Sequence, residues 1–184
     1  MQRRHFSAAT TLALAGSSVF LSARAQAGSS LQARLQQLET AAQGRLGVTI
    51  LDTATGAIHG HRADERFMML SSFKLLASAL VLARVDRGQE SLERRITFAR
   101  TDLVTHSPVT GRFAGTADGM TLAGLCEATI TTSDNSAANF ILESCGGPAA
   151  LTRFARELGD DTTRLDRMET ELNNGTAAAL LDTT

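Results

Sequence analysis

Residues 70–83 read LSSFKLLASALVLA. Apolar side chains fall on nearly every side of this stretch. A helix over residues 71–87, closing at Arg87-Gly88, is therefore expected to be central and buried. Its one charge is Lys74, the only lysine in a chain that carries 17 arginines. Ser71 stands three residues earlier, one turn along the same helix face; Ser72 does not meet that spacing. Burial strips water from an amine and lowers a lysine's pKa, toward a base that takes a proton from a hydroxyl. Arginine stays charged and cannot do this. The competing reading is an amine that reaches water along its own stem.

Around this segment the chain has ordinary globular composition: 184 residues, 43% hydrophobic, 20% charged, net charge −1. No basic block points to nucleic acid or an acidic membrane surface. With Trp and Tyr absent, only the 8 Phe could stack on bases. Residues 1–27 have a basic start, an apolar middle and an Ala25-Gln26-Ala27 end, the pattern of a signal peptide. Arg3-Arg4 resembles a twin-arginine export signal, which implies a periplasmic location and a mature chain from Gly28. No later stretch is apolar and long enough to span a bilayer, so no membrane association is expected after cleavage. Export would leave Cys126 and Cys145 in an oxidising compartment. Their spacing leaves open whether they pair or simply fill the core.

From Gly28 the pattern divides near Phe67. Residues 28–66 carry one helix, with Leu31, Leu35, Leu38 and Ala42 as its stripe, and one hairpin. The hairpin strands are RLGVTILD (45–52) and AIHGH (57–61), joined through TATG. Residues 67–184 read as helical. Beyond 71–87, helices are expected over 121–131, over SAANFILESC (136–145), and from Pro148 to a stop at Gly159. No further strands are expected. Residues 160–184 lose periodicity and read as a long loop, a form that usually serves function. A lone hairpin does not make a stable sheet, so the chain is expected to be the front part of a longer protein.

Two further clusters carry polar chemistry. Ser133-Asp134-Asn135 lies between two expected helices, where a hydroxyl and an amide could face a cleft; an N-cap is the plainer reading. Glu169 and Asn173, in the long loop, could hold a water between a carboxylate and an amide; a solvated acidic loop is the plainer reading. His59-Gly60-His61 with Asp64 has the alternation of a metal-binding strand. No third histidine lies nearby, so a solvent-facing hairpin is expected and no metal or cofactor.

Ser71-x-x-Lys74, Ser133-Asp134-Asn135 and the Glu169–Asn173 pair, in this order, resemble the class A serine β-lactamases. The resemblance runs from about Leu31 to Thr184. It implies an α+β fold of the β-lactamase/transpeptidase kind: a helical domain, plus the first helix and hairpin of an α/β sandwich. It also implies hydrolysis of β-lactam antibiotics, hence resistance, by a chain that is monomeric when complete. Ser71 resembles the nucleophile, Lys74 its proton partner, Ser133 the shuttle to the leaving nitrogen, and Glu169 the base for the deacylating water. Whether Lys74 or Glu169 deprotonates the serine is disputed for the family. Asn135 and Asn173 resemble ligands of the substrate amide and of that water. Arg167 and Asp182 match an ion pair that closes the family's Ω-loop.

The chain also departs from the family pattern. No lysine follows Lys74, so the Lys-Thr-Gly strand, which binds the substrate carboxylate and helps build the oxyanion hole, is missing. Losing one oxyanion donor costs roughly 100- to 1000-fold in rate, so the 184-residue chain by itself is expected to be inactive. Ser78 replaces a common cysteine partner of Cys126. Met68, Leu70 and His106 replace a proline, a Met or Cys, and an aromatic. Two readings stand beside hydrolysis: a penicillin-binding transpeptidase or carboxypeptidase relative, and a non-catalytic remnant.

Overall fold

The computed structural model describes residues 31–174. Expectations on residues 1–27, Asp182 and the C-terminal LDTT fall outside them. The chain divides between Glu65 and Arg66 into two compact units.

The first unit holds helix α1 (residues 31–42) and the antiparallel strands β1 (Val48–Leu51) and β2 (Ile58–His61). The register pairs Val48 with His61 and Leu51 with Ile58. Asp52 makes the turn. Its Oδ1 accepts from Ala54 N (2.9 Å) and its Oδ2 from the Thr55 hydroxyl (2.6 Å), an Asx-type turn that needs no outside support. The α1 stripe is buried only in part. Leu35 is covered, while Leu38 stays 60% exposed, because a two-stranded ribbon offers little area to cover a helix face.

Polar contacts tie β2 to α1. The Gln32 amide donates to His61 Nδ1 (3.1 Å), which leaves Nε2–H to donate to Glu39 Oε2 (2.9 Å). Both His61 nitrogens are thereby committed. Among the described residues no group of three His, Cys, Asp or Glu is placed to hold a metal. Arg62 Nε reaches Glu39 Oε1 at 2.6 Å, and Leu46 N donates to the same oxygen at 3.0 Å. These bonds, Arg62's first, lower the Glu39 pKa from the ordinary 4.5 to about 2. A depressed folded value means that the stabilisation is complete above pH 4.5 and is lost as the pH falls through about 2. An NMR titration is expected to place the Glu39 midpoint near 2, and Arg62→Gln to move it up toward 4.5. An unmoved midpoint would show that Arg62 is not the cause.

The second unit is helical. A 3-10 turn, Leu70–Ser72, runs straight into α2 (Phe73–Asp86). A two-residue ribbon follows, β3 (Arg95–Ile96) against β4 (Met120–Thr121), where no strand was expected. It does not extend the hairpin; the two ribbons are separate sheets. Gly119 makes it possible: at φ 55°, a Cβ there would lie 2.0 Å from the Ile96 carbonyl oxygen. Then come α3 (Leu122–Thr132), α4 (Asn135–Cys145) and α5 (Pro148–Glu157). Thr121 caps α3 by accepting from Gly124 N (3.1 Å). Gly146, at φ 102°, ends α4, and Pro148 opens α5 in its first position. Residues 160–174 form an irregular loop with one 3-10 turn, Glu171–Asn173.

The most fully covered helix of this unit is α4. Phe140, Ile141 and Leu142 are covered, and Phe98 stacks on Phe140 at 4.4 Å between ring centroids. Helices α2, α3 and α5 all pack on α4. In α2, Phe73, Ala77 and Val81 are fully buried, but Leu75 is 67% and Leu82 48% exposed. The expected central, buried helix is therefore largely what α2 is: it packs on α3, α4 and α5, and only Leu75, Leu82 and Asp86 are exposed along it. Both thiols are free, Cys145 buried and Cys126 half-buried, and burial pushes both above the usual thiol range. Among the described residues no helix is long and apolar enough to cross a membrane.

Candidate active site

The 3-10 turn sets the first pair. Residues three apart eclipse in a 3-10 turn, and here Ser71 is exposed at its lip while Lys74 is 2% exposed beneath. Their Oγ and Nζ atoms are 3.3 Å apart. The Ser72 hydroxyl instead turns back to the Met69 carbonyl, which removes it from the site. Leu70, just before the serine, sits at φ 46°, a left-handed conformation that costs a leucine energy.

The turn between α3 and α4 brings the second group. Ser133, left-handed at φ 55°, aims both its oxygens at Lys74: the carbonyl at 2.8 Å and the hydroxyl at 3.0 Å from Nζ. Asn135 Oδ1 lies 2.5 Å from the same nitrogen. Its amide orientation is set by the other end, where Nδ2 donates to the Thr105 carbonyl (2.9 Å). Asp134, between them, faces away and N-caps α4 through Ala137 N (2.9 Å). Within this tripeptide, then, Asp134 caps the helix, while Ser133 and Asn135 face the lysine.

The loop brings Glu169. Its side chain is fully buried, with Oε1 3.2 Å from Lys74 Nζ. Oε1 accepts no hydrogen bond, whereas Oε2 accepts from Asn173 Nδ2 at 2.7 Å. The Glu169–Thr170 peptide is cis. Five oxygens thus surround one amine. Two of them, the Ser133 carbonyl and Asn135 Oδ1, can only accept, so two positions on Nζ must be hydrogens. The third position, proton or lone pair, is shared among Ser71 Oγ, Ser133 Oγ and Glu169 Oε1. That is the geometry of a proton exchange between two hydroxyls and a carboxylate.

Six of the eight expected site residues, Ser71, Lys74, Ser133, Asn135, Glu169 and Asn173, converge here. Arg167 does not join them; it donates to the Glu171 carbonyl (2.6 Å) inside the loop. Its expected partner Asp182 lies outside the described residues. Sequence reasoning missed Asn139. Its amide holds both backbone groups of Glu169, Nδ2 to the carbonyl and Oδ1 from the N–H, each at 2.9 Å. The signal was available: Asn139 follows Asn135 by four residues, so one face of α4 carries both amides. His106 was singled out only as a departure. Its Nε2 donates to the Thr132 carbonyl (3.0 Å) and its own carbonyl accepts from Asn135 N (3.0 Å), which braces the turn.

The sequence model of the beta-lactamase enzyme family matches residues 30–184. Among solved structures, an ancestral (GNCA) class A beta-lactamase is 58% identical at a TM-score of 0.80 and covers 84% of this chain. The putative class A beta-lactamase PenP from Rhodopseudomonas palustris is 59% identical, also at 0.80 and over 84% of this chain. The last common ancestor of Gram-negative bacteria (GNCA4) class A enzyme gives 58% and 0.79. The chain spans 58% of the length of the first of these and 59% of PenP. The chain belongs to the beta-lactamase enzyme family, and its fold is that of the class A members.

Proposed function

We propose that the protein hydrolyses β-lactams through an acyl-enzyme on Ser71. One observation carries the reading: a single buried amine lies within 3.3 Å of both serine hydroxyls and of the Glu169 carboxylate. The Ser71 proton passes to Lys74 Nζ as Oγ bonds to the lactam carbonyl carbon. The ring C–N bond breaks, and the nitrogen takes its proton from Ser133 Oγ, which Lys74 replenishes. A water then gives a proton to Glu169 Oε1 and attacks the ester carbonyl. The ester bond to Oγ breaks, and the proton held by Glu169 returns to Ser71 Oγ through Lys74. The Ser71 N–H supplies one oxyanion donor. The second belongs to a Lys-Thr-Gly strand, for which these 184 residues hold no lysine. Resistance to β-lactams, and export to the periplasm directed by residues 1–27, complete the reading.

Glu169 separates hydrolysis from the transpeptidase alternative, in which the acyl group stays on the serine. The test is mass spectrometry of the protein, extended to the full length of the family fold, after exposure to a penicillin. Glu169→Ala is expected to hold the adduct on Ser71 for hours while the unsubstituted protein clears it. If the unsubstituted protein keeps the adduct equally long, the hydrolytic reading falls and the transpeptidase reading takes its place.

A further inference from the structure

We propose that Thr152 and Arg156, one turn apart on the same face of α5 and outside the reacting cluster, are positioning residues that set Glu169 against Lys74. The Thr152 hydroxyl satisfies both backbone groups of Leu165: it accepts from the N–H at 2.9 Å and donates to the carbonyl at 3.1 Å. Asn139 does the same for Glu169 with one amide. The loop is thus held at two residues four apart, each by a side chain that occupies its N–H and its C=O together. Leu165 is also 1% exposed, so its side chain is anchored in the core. Only residues 166–168 lie between the two clamps, which leaves little slack.

Arg156 fixes the start of the same loop. Its Nη1 donates to the Thr163 carbonyl at 2.8 Å and to the Asp160 carbonyl. Asp160 in turn folds the corner, its Oδ1 accepting from Thr162 N (2.8 Å) and Thr163 N (2.9 Å). Loss of Thr152 removes the hold on the Leu165 backbone, and loss of Arg156 the hold on the Thr163 and Asp160 carbonyls. Residues four apart on a helix share a face, so α5 acts as a rail for the loop while α4 grips its far end. Glu169's chemical role rests on the hydrolytic reading above; its placement by α5 does not.

Lysine supplies a reporter that needs no substrate. Labelling with [13Cε]lysine, with the Lys74 signal assigned as the one lost in Lys74→Arg, reads the amine that has Glu169 Oε1 3.2 Å from its nitrogen. Glu169→Gln marks where that signal goes when the carboxylate is removed. Thr152→Val is expected to move the signal in the same direction and to speed hydrogen exchange of the Glu169 amide by roughly tenfold or more. Thr152→Ser keeps the hydroxyl and is expected to restore both. Arg156→Gln is expected to produce a smaller change of the same sign. A Thr152→Val chain that melts earlier but leaves the lysine signal and the Glu169 amide unchanged would reduce Thr152 to a stability residue and overturn the proposal. Failure of Thr152→Ser to restore them would also overturn it. Should Thr152→Val not fold, Arg156→Gln, at an exposed side chain, decides by the same two signals. Because no β-lactam is involved, a failure here is distinct from a failure of the proposed activity.

Discussion

Lys74→Arg is expected to slow acylation of Ser71 by about 10²–10⁴-fold, the usual worth of a placed general base. The expectation follows from the geometry of one nitrogen. Two of its positions are spent on oxygens that can only accept, the Ser133 carbonyl at 2.8 Å and Asn135 Oδ1 at 2.5 Å. The third is the one that faces Ser71, and a base needs a lone pair there. An amine can present one; a guanidinium has only donors and stays charged. Arginine is also planar and longer, so it cannot direct one nitrogen at five oxygens. Lys74→Ala separates bulk from chemistry, because it removes the base without crowding the cage, and a loss of similar size is expected. The measurement, on the same extended protein, is the rate at which a penicilloyl adduct appears on Ser71 by mass spectrometry, with melting as the check on folding. Acylation of Lys74→Ala at the unsubstituted rate would assign the proton to Glu169 through a water, and the lysine to positioning alone.

What could be read from the sequence was chemistry at short spacing. Ser71 and Lys74 are three apart, and the 3-10 turn converts that spacing into contact. Ser133, Asn135 and Glu169 were legible as types, but their meeting on Lys74 depends on long-range packing that no local pattern contains. The burial of α4 was not legible for a related reason. Apolar density marks α2, which is largely buried with Leu75 and Leu82 exposed along it. Helix α4 carries Asn135, Ser136 and Asn139, yet it too is packed by three helices. Its polar groups are covered because loops supply their partners: Ser136 Oγ accepts from Val104 N at 2.8 Å, and Asn139 holds Glu169. Hydropathy counts such side chains as surface; only the fold shows that their bonds are already made. The β3–β4 ribbon escaped because two residues per strand are too few to show alternation.

Asp134→Ala is expected to be strongly destabilising, costing about 4 kcal/mol, a large share of the 5–15 kcal/mol that holds a domain together. The residue is fully buried. Oδ1 accepts from Ala137 N and the Thr110 hydroxyl, both at 2.9 Å. Oδ2 accepts from Val109 N at 3.0 Å and Thr110 N at 2.9 Å. Alanine removes a helix cap, worth about 0.5–2 kcal/mol. It also orphans the buried donors of Thr110, each costing about 1–3 kcal/mol when left unpaired, and the half-buried N–H of Val109. The terms overlap, which keeps the total below their sum. Asp134→Asn should behave differently. With its oxygen toward Val109 N and Thr110 N, its amide nitrogen can donate to the Thr110 hydroxyl, and only the bond from Ala137 N is lost. About 1–2 kcal/mol is expected, the worth of that cap. Urea unfolding of the two variants checks both numbers. An Asp134→Ala chain as stable as Asp134→Asn would mean that the 109–110 segment holds its place without the carboxylate. The consequence reaches the active site through the chain itself: Asp134 separates Ser133 from Asn135, so the bonds that pin it to Thr110 also pin the two residues that confine the lysine.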